Sequence, residues 1–133
     1  METITCQQIR DALKRANPKV RNIWLFDKHY VALSVDEFKK VLQTVEPITT
    51  QFKDELFDCD DYAHVTSAFV KLKAAAKYPR SIAFGEITVK HSMSKEVHSL
   101  NFMVDDKEKV HYFEPQGRIF VDGDNYKPFF VRI

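Results

Sequence analysis

Glycine is scarce in this chain: there are 3 in 133 residues, beside 5 prolines and 2 cysteines. So little glycine and proline excludes a collagen-like or low-complexity chain and leaves no flexible linker. The two cysteines, Cys6 and Cys59, lie outside any CxxC pair and are too few for a disulfide framework, so a reducing, cytoplasmic setting is expected. A dominant charge is also missing. The formal net charge is +1 with lysine and arginine spread along the chain, which excludes the electrostatic footprint of a nucleic-acid or anionic-membrane partner. No apolar run approaches the roughly 20 residues of a membrane span, and the first residues lack the basic-then-apolar pattern of a signal peptide.

What is present is a core-forming composition, 44% hydrophobic and 13% aromatic, in a length that predicts one packed domain over residues 1–133. Ile9, Ala12, Leu13 and Ala16 share one face of a helix predicted over 5–16, closed by Asn17-Pro18. Short apolar runs at 23–26 and 30–33 read as two short strands or one extended ribbon. Ser34 and Glu37 form a capping box that opens a helix through about Val45. A polar connection containing Gln51 leads to a third helix, with Asp58 as N-cap and a helical rhythm to about Lys77.

After Tyr78-Pro79 the period becomes two. Strands are predicted at 82–89 (with Gly85 as a bulge), 98–104, 110–114, 117–121 and 129–133. Helices followed by a run of strands predict an α+β fold, N-terminal helices packed on a C-terminal antiparallel sheet.

Cys59 falls in the first turn of the third helix, where the macrodipole favours an anionic sulfur, although Asp60 and Asp61 oppose it. The hairpin around 105–109 supplies two further groups. If Val104 pairs with Val110, then Phe102 faces Tyr112 and Leu100 faces Glu114; one two-residue step further, His98 faces Glu114. Both registers leave His98 and Glu114 on one face, within imidazole–carboxylate reach. Thiol, imidazole and carboxylate are the three roles of a nucleophilic triad, and docking of the third helix on that face would join them. Singly, each has a plain structural reading: a packed cysteine, a satisfied histidine, a strand-end glutamate. His29, His64, His91 and His111 make no zinc-like spacing, and His64 and His111 are expected to point away from the His98–Glu114 face.

Cys59-Asp60-Asp61-Tyr62-Ala63, His98-Ser99-Leu100-Asn101-Phe102 and Phe113-Glu114-Pro115-Gln116 resemble the corresponding blocks of papain-like and transglutaminase-like cysteine enzymes. The likeness is strongest to the C-terminal cysteine-peptidase domain of fungal chimeric agglutinins of the Marasmius type, and to small phage and bacterial relatives. Trp24, Asp27, Tyr30, Leu33-Ser34 and Asp36-Glu37 are also similar to that group. The resemblance implies a minimal papain-like fold and thiol-dependent peptide or amide hydrolysis. Cys59 would be the nucleophile, His98 the general base and acid, and Glu114 the orienting carboxylate. It implies Gln51 as an oxyanion donor, with Gln116 the alternative polar group on the substrate side. It also implies calcium, with Asp60 and Asp61 among its ligands; spacing alone shows no metal site, since calcium takes six or more oxygens.

The expected partner is a peptide or protein substrate, or a host protein target, selected with help from a partner or by self-association. The chain has no room for the sugar-binding β-trefoil of those agglutinins, so lectin activity is not expected to carry over. The competing reading is a non-catalytic binding module that keeps the fold and a polar pocket.

Overall fold

The period-two stretch between residues 82 and 114 forms the middle of the molecule, and everything else is placed by the two faces it offers. The computed structural model describes residues 2–133. In chain order the elements are β1 (Glu2–Thr5), α1 (Cys6–Ala16), β2 (Asn22–Trp24), β3 (His29–Ala32), α2 (Val35–Leu42), α3 (Cys59–Ala75), β4 (Phe84–His91), β5 (Val97–Val104), β6 (Val110–Glu114), β7 (Ile119–Val121) and β8 (Tyr126–Arg132). Six strands make one sheet in the order β2-β8-β4-β5-β6-β7, and β1 and β3 form a separate antiparallel ribbon.

This differs from N-terminal helices packed on a C-terminal antiparallel sheet. The early segment Asn22–Trp24 crosses the molecule to run parallel to β8, so the sheet is mixed. The helices also divide between its faces. Ile9, Ala12 and Leu13 of α1 pack on Ile87, Val89, Leu100, Phe102 and Val104. Phe38 and Val41 of α2 and Val70 and Ala74 of α3 pack on Phe84, Met103 and Phe113. Each fully buried aromatic or aliphatic side chain contributes about 1.5–3 kcal/mol. A sheet apolar on both sides therefore needs cover on both.

Local signals set the helix ends. The Thr5 hydroxyl accepts the Gln8 N–H at 3.1 Å and Gln8 Oε1 accepts the Thr5 N–H at 2.8 Å. The Ser34 hydroxyl accepts the Glu37 N–H at 3.1 Å. Helix α2 stops at Leu42, short of Val45; the Arg118 guanidinium donates to the carbonyls of Leu42 (2.9 Å) and Val45 (3.0 Å), which stabilises its freed C-terminal end. Asp61 Oδ2 accepts the Asp58 N–H at 3.2 Å where α3 begins. Gly85 is no bulge: it pairs in register with Phe102, and the irregularity of β4 falls between Thr88 and Val89. Among the described residues no helix is long and apolar enough to cross a membrane.

Candidate ligand-binding groove

Strand alternation decides what the start of α3 faces. Thr88 pairs with Ser99 and their hydroxyls lie 3.2 Å apart, so both point to one side. That side carries α3: the buried Asn101 amide, two residues on from Ser99, donates to the Ala63 carbonyl at 2.8 Å and to Gly85 at 3.1 Å. Between helix and sheet runs a groove of about 480 Å³. Asp60, Asp61, Ala63 and His64 form its wall, and Glu86, Thr88, Ser99, Phe130 and Arg132 its floor. Trp24, more than half exposed, flanks it with its ring 5.8 Å from that of Phe130.

The floor is pre-organised by charge. Arg132 Nε donates to Glu86 Oε2 at 2.7 Å, and the register of β4 and β8 sets Arg132 opposite Glu86. His64 Nδ1 lies 2.8 Å from Glu86 Oε1 and 3.0 Å from Arg132 Nη2. One ring nitrogen cannot serve both: protonated it donates to Glu86, unprotonated it accepts from Arg132. Further along α3, burial pushes the Lys71 ammonium below its ordinary pKa, while Glu86 and Asp27 pull it back in part.

Of the residues expected to form a triad, the structure brings His98 and Glu114 together. The hairpin register is Val104↔Val110 and Phe102↔Tyr112, so Glu114 is a diagonal neighbour of His98, and His98 Nε2 lies 2.8 Å from Glu114 Oε2. But His98 pairs with Val89, which is buried on the α1 side. Alternation thus directs His98 and Glu114 away from the face on which α3 packs. Cys59 is a half-buried free thiol, and among the described residues no hydrogen bond joins its sulfur to His98.

Gln51 is exposed in the connection before α3, and Gln116 is exposed beyond β6, its N–H donating to Glu114 Oε1 at 3.2 Å. Asp60 and Asp61, with Asp58, bring one carboxylate oxygen each within 4.8 Å of one another. His64, expected to point elsewhere, lines the groove. Glu86, Phe130 and Arg132 carried no motif. Only the alternation of Phe84, Glu86 and Thr88 in β4 hinted that polar groups stand on a helix-covered face.

Fold and groove together define a small mixed-sheet domain that presents a polar, aromatic-flanked groove at the head of a helix. More particularly, the chain belongs to the agglutinin C-terminal family, whose model matches residues 30–120. Among solved structures it is similar to a PSL1a–E64 complex, at 25% identity and a TM-score of 0.77, over 96% of this chain and 50% of that one. It is likewise similar to the Polyporus squamosus lectin bound to the human-type influenza-binding epitope Neu5Aca2-6Galb1-4GlcNAc. That likeness is at 24% identity and a TM-score of 0.76, over 96% of this chain and 48% of the lectin. The chain thus spans about half the length of the structures it matches. No curated protein matches it.

These matches, to an agglutinin family and to a lectin, overturn the identification as a papain-like or transglutaminase-like cysteine peptidase. The descriptions hydrolase, cysteine peptidase and thiol protease fall with it, as does the minimal papain-like fold. The competing reading, a binding module with a polar pocket, fits the matches better.

Proposed function

We propose that this domain is a non-catalytic binding module and that the groove at the head of α3 takes a carbohydrate. The observation that carries this is the exposed Trp24 ring tilted against the half-buried Phe130, beside a floor of Glu86, Thr88, Ser99 and Arg132. A sugar ring has an apolar C–H face and an equator of hydroxyls. An aromatic pair offers area for the first, and carboxylates, hydroxyls and a guanidinium offer acceptors and donors for the second. The lectin structure bound to a sialylated glycan supports the ligand class. On this reading the lack of a β-trefoil does not remove sugar binding, because the groove is built from this chain alone. A host protein target has no comparable support in the geometry.

Asp60 and Asp61, with Asp58 beside them, are the proposed ligands of a calcium ion, supplying three of the six or more oxygens that calcium takes. It would add positive charge at the helix start, and calorimetry with calcium and chelator tests it directly.

Glycan-array screening followed by calorimetry tests the module. Trp24→Ala should weaken binding about tenfold, the loss of roughly 1.4 kcal/mol of aromatic contact. Cys59→Ala should leave it unchanged. Absence of any glycan ligand, or binding lost with Cys59 and indifferent to Trp24, would refute the reading.

A further inference from the structure

The last turns of α3 and the segment that follows them bound a second, smaller cavity. Lys71, Ala74 and Ala75 share one face of the helix, and the two alanines leave space beside the lysine. The segment beyond the helix is pinned to β3: the Val31 N–H donates to the Ser81 carbonyl and the Ala83 N–H to the Val31 carbonyl, both at 2.8 Å. Ile82 between them is buried in the core that α2 and α3 share. Tyr78, Arg80 and Ser81 therefore face the end of α3 across a cavity of about 280 Å³. That is near the lower edge of ligand pockets, roughly 300–1,000 Å³, and suits a short molecule.

The lining holds two cations, Lys71 and Arg80, and no carboxylate. Among the described residues neither forms a salt bridge. The carbonyls of Lys73 and Ala74 at the helix end are already taken by the N–H groups of Ala76, Lys77 and Tyr78. Arg80 is exposed and Lys71 partly buried. Burial pushes the Lys71 ammonium below its ordinary pKa; Glu86 and Asp27 oppose that in part, and Arg132 adds to it. The cavity thus joins a guanidinium, whose fork fits a carboxylate, to a lysine with an enlarged share of free, nucleophilic amine.

We propose that this cavity captures a short α-keto acid, with Arg80 holding its carboxylate and the Lys71 nitrogen bonded to its keto carbon as an imine. The unprotonated Nζ adds to the keto carbon, and a proton passes from nitrogen to oxygen to give a carbinolamine. The hydroxyl then leaves as water as the C=N bond forms, so one water is released per adduct and nothing is oxidised or reduced. Hydrolysis reverses the step. This is covalent capture without turnover, and it is independent of what the groove at the head of α3 binds.

The test is reductive trapping on the intact chain at about pH 7, where a keto-acid carboxylate is fully ionised. The probes are pyruvate and, as the aldehyde without a carboxylate, acetaldehyde, each with cyanoborohydride to reduce the imine to a stable secondary amine. Peptide mapping by mass spectrometry reads the labelling of Lys71 relative to Lys73, an exposed lysine of the same helix. With pyruvate that ratio should be about fivefold higher than with acetaldehyde, the gain of one exposed charge pair. Arg80→Ala should bring the pyruvate ratio down to the acetaldehyde value. Lys71→Arg keeps the charge and should remove the adduct at this position while the melting temperature stays within about a degree, since surface changes of this kind move stability little. Absence of a Lys71 adduct, equal ratios for the two probes, or a pyruvate ratio that survives Arg80→Ala would overturn the proposal.

Discussion

Replacing Gly85 by alanine should damage stability and groove together, and the reason is steric. Gly85 lies on β4 between Phe84 and Glu86, and its φ is ordinary, so backbone freedom does not explain it. A β-carbon there would overlap the carbonyl oxygen of Arg132 and sit 2.9 Å from Ile133 Cγ1 and 3.0 Å from its Cα. Two of these three atoms are backbone, so no rotamer change relieves the clash. The end of β8 must move away from β4.

That movement has calculable costs. Overpacking of this kind costs about 1–3 kcal/mol. Peeling back the C-terminus exposes Ile133, now buried and tied by its N–H to the Trp24 carbonyl at 3.0 Å; losing its burial costs a further ~1.5 kcal/mol or more. Against this, alanine stabilises by about 0.4–1 kcal/mol through the unfolded chain. A net loss of about 2 kcal/mol lowers the melting temperature by roughly 8 °C for a domain of this size. The same shift drags Arg132 from Glu86 and weakens glycan binding. Thermal unfolding followed by circular dichroism reads the first effect and calorimetry the second. Gly117→Ala is the control, because a β-carbon there meets nothing closer than 3.6 Å. If Gly85→Ala melts within a degree of Gly117→Ala and binds as well, the close approach of β8 is wrong.

Three further predictions concern the opposite end of the sheet and the α2 terminus. Burial alone would raise the Asp105 carboxyl, but hydrogen bonds from His111 and from the Lys109 and Lys107 N–H groups outweigh it and hold the pKa below its ordinary value. A depressed carboxyl stabilises the fold above its unfolded pKa of about 3.9 and loses that contribution as pH falls through the folded value. Asp105→Asn should therefore cost about 1–2 kcal/mol at pH 7 and much less at about pH 2, read from urea midpoints; a constant difference would refute the assignment. Tyr112 carries a buried hydroxyl with no hydrogen-bond partner among the described residues, and burial pushes its pKa up to about 12. Tyr112→Phe should melt at or above the parent, and a loss beyond about 1 kcal/mol would reveal a partner for the hydroxyl. Arg118→Ala should cost about 1–2 kcal/mol by stripping the carbonyls of Leu42 and Val45, and hydrogen exchange should localise the loss to the end of α2.

What could be read from the sequence was local. Ser34 and Glu37 mark the start of α2, Asp58 marks the start of α3, and alternation from 98 to 114 puts His98 and Glu114 on one face in either of two hairpin registers, of which the structure has Val104↔Val110. Each needs only a few neighbouring residues to agree. The parallel pairing of Asn22–Trp24 with Phe130–Arg132 joins segments more than a hundred residues apart, and no period within either announces it. That one long-range pair makes the sheet mixed, and it also brings Trp24 beside Phe130.

The assignment of helices to faces failed for a related reason. Leu100, Phe102 and Val104 do form one apolar face, with His98 at its end, but Phe84, Met103 and Phe113 form another on the other side, and alternation cannot say which helix covers which. The deciding group is Asn101. It is a fully buried polar residue in the middle of an apolar run, and its amide must find acceptors. The Ala63 carbonyl, one turn into α3, and the Gly85 carbonyl supply them. The polar exception in the strand pins the helix, and the helix then carries Asp60, Asp61 and His64 over Glu86, Thr88 and Ser99. Asn101→Leu would leave the strand pattern more regular and remove that anchor. It should keep β4–β5–β6 exchange protection while loosening α3 and the groove. Uniform loss of protection across sheet and helix would instead show that Asn101 supports the core as a whole.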